Sequence, residues 1–118
     1  HQQGDDCLTR VAKAIQDSVN RPGDLASRYG GEEFCIVLPE TSSAGAVQIA
    51  ELVRKNVNAL KLEHKTSPVA KMVTLSLGVA TMIPEQGSQP SVLLEAADRA
   101  LYQAKGNGRN RVEQNLAE

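Results

Sequence analysis

The stretch SRYGGEEFCIVLP, Ser27 to Pro39, decides how the rest of the chain is read. Two extended runs, Leu25 to Arg28 and Phe34 to Leu38, meet at Gly30 and Gly31. A tight hairpin turn needs backbone with positive φ, which glycine adopts without steric cost, so the pattern predicts an antiparallel hairpin. The turn accounts for the glycines but not for Glu32 and Glu33. These open the second strand side by side, where alternation sends them to opposite faces and like charges repel. Taken alone, the stretch fits either an ordinary solvated turn or a functional pair of carboxylates.

Working outward, Leu8, Val11, Ala12, Ile15 and Val19 recur at three- and four-residue steps and predict an amphipathic helix from about Asp5 to Asn20, stopped by Pro22 and Gly23. Downstream of the apolar strand FCIVL, which reads as central, Ser42 or Ser43 caps a second helix. Its stripe contains Ala46 or Val47, Ile49, Ala50, Val53, Val57 and Leu60. The polar KLEHKTSP segment suits a short edge strand. KMVTLSLGVATM alternates as a half-buried strand does, with Gly78 marking a bulge or a close approach. Ser91 begins a third helix through Leu94, Ala97, Leu101 and Ala104, and after GNGRN the run RVEQ predicts a last short strand. The order predicts an α+β domain with a mainly antiparallel sheet flanked by helices on one side.

The 118 residues are of single-domain size, so residues 1–118 are read as one domain. With 41% hydrophobic, 23% charged and only 3% aromatic residues, the core is expected to be aliphatic, which disfavours base-stacking platforms. A formal net charge of −1 argues against polymeric nucleic acid, which needs a basic face, but leaves a single nucleotide open. Cys7 and Cys35 lack metal-ligand or paired spacing and read as core thiols in a reducing compartment. No apolar run reaches membrane-spanning length, and no membrane contact by this domain is expected. The opening HQQGDD runs straight into helical periodicity without a Met, as a piece cut from a longer chain would.

Charged positions supply the chemistry. Asp5 opens the first helix, Glu32 and Glu33 stand at the hairpin, and Lys105 and Arg109 follow the third helix four residues apart. Hard oxygen ligands with fixed cations are what a magnesium triphosphate requires. Each residue also has an ordinary reading. Asp5 suits the helix macrodipole, Lys105 and Arg109 suit the last helical carbonyls, and Arg21 with Asp24 suits a surface ion pair. His1 and His64 have no partner at metal-ligand spacing.

RYGGEEF resembles the signature of the GGDEF family, the diguanylate cyclases, in the variant with Glu at its third position. HQQGDDCL, TLSLGVA and ADRALYQAKGNGRNRV resemble the other blocks of that family in order and spacing. The resemblance implies that Glu32 binds Mg²⁺ (or Mn²⁺) and that Glu32 and Glu33 together help to activate a ribose 3′-hydroxyl. It implies that Gly30 and Gly31 let backbone approach the nucleotide, that Asp5 contacts the guanine edge, and that Lys105 and Arg109 hold the terminal phosphates. The implied reaction condenses two GTP into cyclic di-GMP and two pyrophosphates across a homodimer in the cytoplasm. RPGD, Arg21 to Asp24, resembles the family's RxxD inhibitory site for the product, while Leu52 stands where some members carry a second inhibitory Arg.

The family's first strand would lie upstream of His1. The resemblance therefore implies an N-terminally incomplete domain, itself inactive, and either unstable as a monomer or with the missing strand replaced by another chain or by an alternative packing. The alternative from another functional class is a catalytically inactive cyclic di-GMP receptor that binds through Arg21 and Asp24.

Overall fold

The computed structural model describes residues 2–30, 33–63 and 72–116, with the backbone only at residues 2–5, 29, 30 and 116. The elements run α1 (Gln2–Ser18), β1 (Leu25–Gly30), β2 (Glu33–Val37), α2 (Ser43–Ala59), β3 (Leu77–Thr81), α3 (Pro90–Gly106) and β4 (Val112–Leu116). All three predicted helices are present, with α1 beginning earlier than the apolar stripe suggested.

The amphipathic faces of α1 and α2 pack on one another. Val11, Ile15 and Val19 meet Val53, Val57 and Leu62 in a core of aliphatic side chains. Asn56 Nδ2 donates to Ser18 Oγ at 2.8 Å and ties the end of α1 to α2. Cys7 packs against this core, and both cysteines are free thiols. Ser42 is the N-cap of α2, its Oγ accepting from Gly45 N at 3.1 Å.

β1 and β2 form the predicted antiparallel hairpin, with Ala26 opposite Ile36 and Arg28 opposite Phe34. Alternation turns Ala26, Phe34 and Ile36 toward the α1–α2 core and leaves Leu25 and Val37 exposed on the other face. Among the described residues β2 pairs with β1 alone, so the strand expected to be central lies in a two-stranded sheet.

The second sheet departs from the antiparallel expectation because β3 and β4 pair in parallel, Leu77 opposite Val112 through Thr81 opposite Leu116. The cause is connectivity: α3 lies between them in sequence, and a strand–helix–strand crossover returns the second strand in the same direction. β3 is also shorter than its alternation suggested. Residues 73–76 join no strand, although Val73 N donates to Leu62 O at 2.7 Å. The expected edge strand is represented by an antiparallel bridge between Glu63 and Met72; residues 64–71 lie outside the described residues.

α3 packs on β3 and β4 through Ala96, Ala100 and Ala104, all fully buried. Such small side chains let the helix lie close to the sheet. At Gly78 an added Cβ would overlap the Ala97 carbonyl oxygen and the Leu101 nitrogen and come within 2.8 Å of Leu101 Cα. Of the two readings offered for Gly78, the close approach is the one observed.

Candidate active site

The hairpin places its acids by register. Gly30 is the last residue of β1 and faces Glu33, the first of β2, with a register shift between Arg28 and Gly30. Both strands thus run further toward the tip than the sequence suggested, and Gly31 and Glu32 connect them. Those two lie outside the described residues, as do His1 and His64. Glu33 is exposed at the mouth of the hairpin. Asp5 belongs to α1, where its backbone alone is described.

The cationic pair is built by the end of α3. Lys105 sits in the last helical turn and is exposed. Beyond it, Asn107 N donates to Gln103 O at 2.8 Å and Arg109 N to Ala104 O at 2.9 Å, so backbone amides close the helix end. This bends the chain back and brings Arg109 beside the turn that carries Lys105. Among the described residues no hydrogen bond or ion pair engages either side chain. The reading of them as carbonyl caps is not what the helix end shows.

Three consecutive residues here have left-handed backbone: Gly108 at φ 120°, Arg109 at 63° and Asn110 at 47°. A non-glycine residue in that region costs on the order of 1–3 kcal/mol and persists only where its surroundings fix it. The fixing contacts are several. Leu77 N donates to Arg111 O at 2.9 Å, Asn107 Nδ2 to Glu113 Oε2 at 3.0 Å, and Arg54 Nη1 and Asn58 Nδ2 each to Asn110 Oδ1 at 3.2 Å.

The third cluster is Arg21 with Asp24. Nε and Nη2 of the arginine donate to the two carboxylate oxygens at 2.7 and 3.0 Å, and Nη2 also donates to Thr41 Oγ1 at 2.7 Å. Asp24 is covered, its side chain 2% exposed, whereas that of Arg21 is 46% exposed. The guanidinium holds the Asp24 carboxyl below its ordinary pKa, chiefly through the hydrogen bonds, and the carboxylate raises that of Arg21 in turn. Thr41 was not picked out from the sequence; lying 20 residues from Arg21, it left no local signal.

The structure therefore joins Arg21 to Asp24 and Gly30 to Glu33, and brings the Arg109 backbone to Ala104, the residue before Lys105. Among the described residues no hydrogen bond or ion pair links the hairpin to the α3 cations. An open depression lined by Thr81, Ile83, Glu85, Ser88 and Val92 contains none of these charged residues and lies at the opposite end of α3 from Lys105. No helix among the described residues is long and apolar enough to cross a membrane.

The chain thus combines an α+β fold with an acidic glycine hairpin, a cationic loop after its last helix and an Arg–Asp pair ahead of the hairpin. The model of the family described as "Diguanylate cyclase, GGDEF domain" matches residues 1–111, and the chain belongs to that family. It is 43% identical over 112 residues to Diguanylate cyclase A of Treponema denticola, and 40% identical over 112 residues to the response regulator PleD of Caulobacter vibrioides. Each match covers 95% of this chain, which spans 29% and 24% of those two relatives' lengths.

Among solved structures, the fold is similar to the GGDEF domain of DgcB from Caulobacter crescentus in complex with c-di-GMP. The TM-score is 0.80 at 32% identity, over 97% of this chain and 66% of that one. It is also similar to the active GGEEF domain of a diguanylate cyclase from Vibrio cholerae. There the TM-score is 0.79 at 29% identity, over all of this chain and 70% of that one.

Proposed function

We propose that this domain, as a homodimer, condenses two GTP into cyclic di-GMP with release of two pyrophosphates, and that its product inhibits it at Arg21 and Asp24. The observation that supports the reading most is the hairpin register, in which Gly30 faces an exposed Glu33 at the mouth of the hairpin. Asp5 holds the guanine edge, Gly30 and Gly31 admit the nucleotide to the backbone, and Lys105 and Arg109 hold the terminal phosphates. A domain that consumes GTP works in the cytoplasm and needs neither membrane contact nor polymeric nucleic acid.

The donor set suits Mg²⁺ or Mn²⁺. Magnesium takes one or two carboxylates plus substrate phosphates rather than an all-protein cage. Glu32, next to Glu33, would hold the ion, which when bound neutralises the triphosphate. The 3′-oxygen of one GTP attacks the α-phosphorus of the other, its proton passing to a hairpin carboxylate. The bond from that phosphorus to the β-phosphate oxygen breaks, pyrophosphate leaves, and the reciprocal attack closes the ring. Most of the rate enhancement comes from positioning and charge neutralisation.

The test is chromatographic detection of cyclic di-GMP from GTP and Mg²⁺, using this chain and any longer native form that contains it, with Glu33→Gln as control. Product lost in Glu33→Gln supports the cyclase. No product in either form, with cyclic di-GMP still retained by Arg21 and Asp24, favours a receptor instead. The two-point Arg21–Asp24 pair and the c-di-GMP complex of the DgcB domain keep that second reading in view.

A further inference from the structure

The loop carrying Arg109 is held from a distance. Arg54 lies on α2 with its side chain 19% exposed, and its guanidinium divides its donors. Nε and Nη2 grip the Glu51 carboxylate at 3.2 and 3.1 Å, while Nη1 reaches Asn110 Oδ1 at 3.2 Å. One turn further along the helix, Asn58 Nδ2 donates to the same oxygen at 3.2 Å. A single acceptor thus receives two donors from a rigid helix, and it belongs to a residue with left-handed backbone at φ 47°. Its neighbour Arg109 is also left-handed, a conformation in which arginine is uncommon, so Asn110 is where an external hold sets the direction of Arg109.

We propose that Arg54 and Asn58 are positioning residues for triphosphate binding: through Asn110 they fix the Asn107–Arg111 loop so that Arg109 stands beside Lys105 and faces the terminal phosphates. This rests on the phosphate role given to Lys105 and Arg109 above. Glu51 serves the same end by holding the Arg54 fork, which a lysine has no means to reproduce because it offers one ammonium instead of a planar set of donors.

The probe is an α,β-methylene analogue of GTP with Mg²⁺, titrated by calorimetry, alongside steady-state turnover of GTP. Asn110 is exposed, so Asn110→Ala is expected to fold as the parent does, which circular dichroism checks. Asn110→Ala, Arg54→Ala and Arg54→Lys should each weaken analogue binding about tenfold, the size of one well-made hydrogen bond to a charged group. KM should rise by the same factor, with kcat changed less than about threefold, as expected when ground state and transition state lose the same contact. In an Arg109→Ala background each should add less than about twofold, because the effect runs through Arg109.

Unchanged affinity, or a full additive loss in the Arg109→Ala background, overturns the inference. Analogue binding with the expected coupling but no cyclic di-GMP keeps the inference and removes the cyclase reading. Turnover with additive effects does the reverse. No analogue binding by the unaltered protein overturns both.

Discussion

Gly78→Ala tests the contact that seats α3 on β3. The added methyl would collide with two backbone atoms, the Ala97 carbonyl oxygen and the Leu101 nitrogen, and no rotamer change relieves a clash with backbone. Ordinary contact begins near 3.4 Å, whereas Leu101 Cα would lie at 2.8 Å, so the helix must lift by more than half an ångström. Lifting it separates Ala96, Ala100 and Ala104 from the strands they cover, and dispersion contacts fall away steeply with such gaps. The expected loss is about 3 kcal/mol, the upper end of the range for overpacking.

Urea unfolding followed by circular dichroism measures this, read as a lower midpoint with an unchanged slope. The matched control is Gly106→Ala, where an added Cβ meets nothing within 4 Å. That change should be neutral or stabilising by about 0.5 kcal/mol. A Gly78→Ala chain within about 0.5 kcal/mol of the parent would refute the packing argument.

Ser42→Ala removes the oxygen that accepts from Gly45 N and should cost about 1 kcal/mol in the same assay; no change would show that the cap contributes nothing. Asp24 and Glu51 both have carboxyl pKa values lowered by an adjacent guanidinium, chiefly through hydrogen bonds. Their folded-state values lie below their unfolded ones, so their contribution is present above about pH 4 and is lost as pH falls through the lowered values. The urea midpoint of a chain with Asp24→Asn and Glu51→Gln should approach that of the parent below about pH 4, and a gap that stays constant from pH 7 to pH 3 would refute this. Arg21→Ala should weaken cyclic di-GMP binding by calorimetry at least about tenfold, and Thr41→Val by less; equal losses would show that Thr41 contacts the ligand itself.

Local patterns carried well. The α1 and α2 stripes pack as their spacing required, with Val11, Ile15, Val53 and Val57 inward, and the hairpin and its apolar face were legible from Leu25 to Leu38. The direction of the β3–β4 pair was less so, because alternation in a strand reports which face is buried and not which way its partner runs. Of the candidate site, the Arg21–Asp24 pair and the Gly30–Glu33 hairpin mouth were legible because they lie in nearby residues. Asn110 meets Arg54 and Asn58 across 56 and 52 residues, and Thr41 meets Arg21 across 20; nothing local marks such pairs. GNGRN announces a turn at Gly108 and asparagine tolerates the left-handed backbone at Asn110, but at Arg109 that conformation runs against the residue's own preference and follows from tertiary contacts.

These long-range contacts make α2 the element shared by the hairpin side and the loop after α3. On one side it shares the aliphatic core with α1, against which Phe34 and Ile36 of the hairpin pack. On the other it touches β3 and β4, and its polar residues Arg54 and Asn58 grip the loop after α3. Of the groups proposed to handle metal and phosphate, Glu33 opens β2 in one two-stranded sheet, while Lys105 in α3 and Arg109 in the loop before β4 lie beside the other, and no ladder joins the two sheets among the described residues. Their separation is therefore set through α2, by apolar packing toward the hairpin and by directed hydrogen bonds toward the loop. Packing toward the hairpin is non-directional, whereas two donors on Asn110 Oδ1 fix a direction as well as a distance, so the aim of the proposed phosphate loop depends on Asn110 more than on the core.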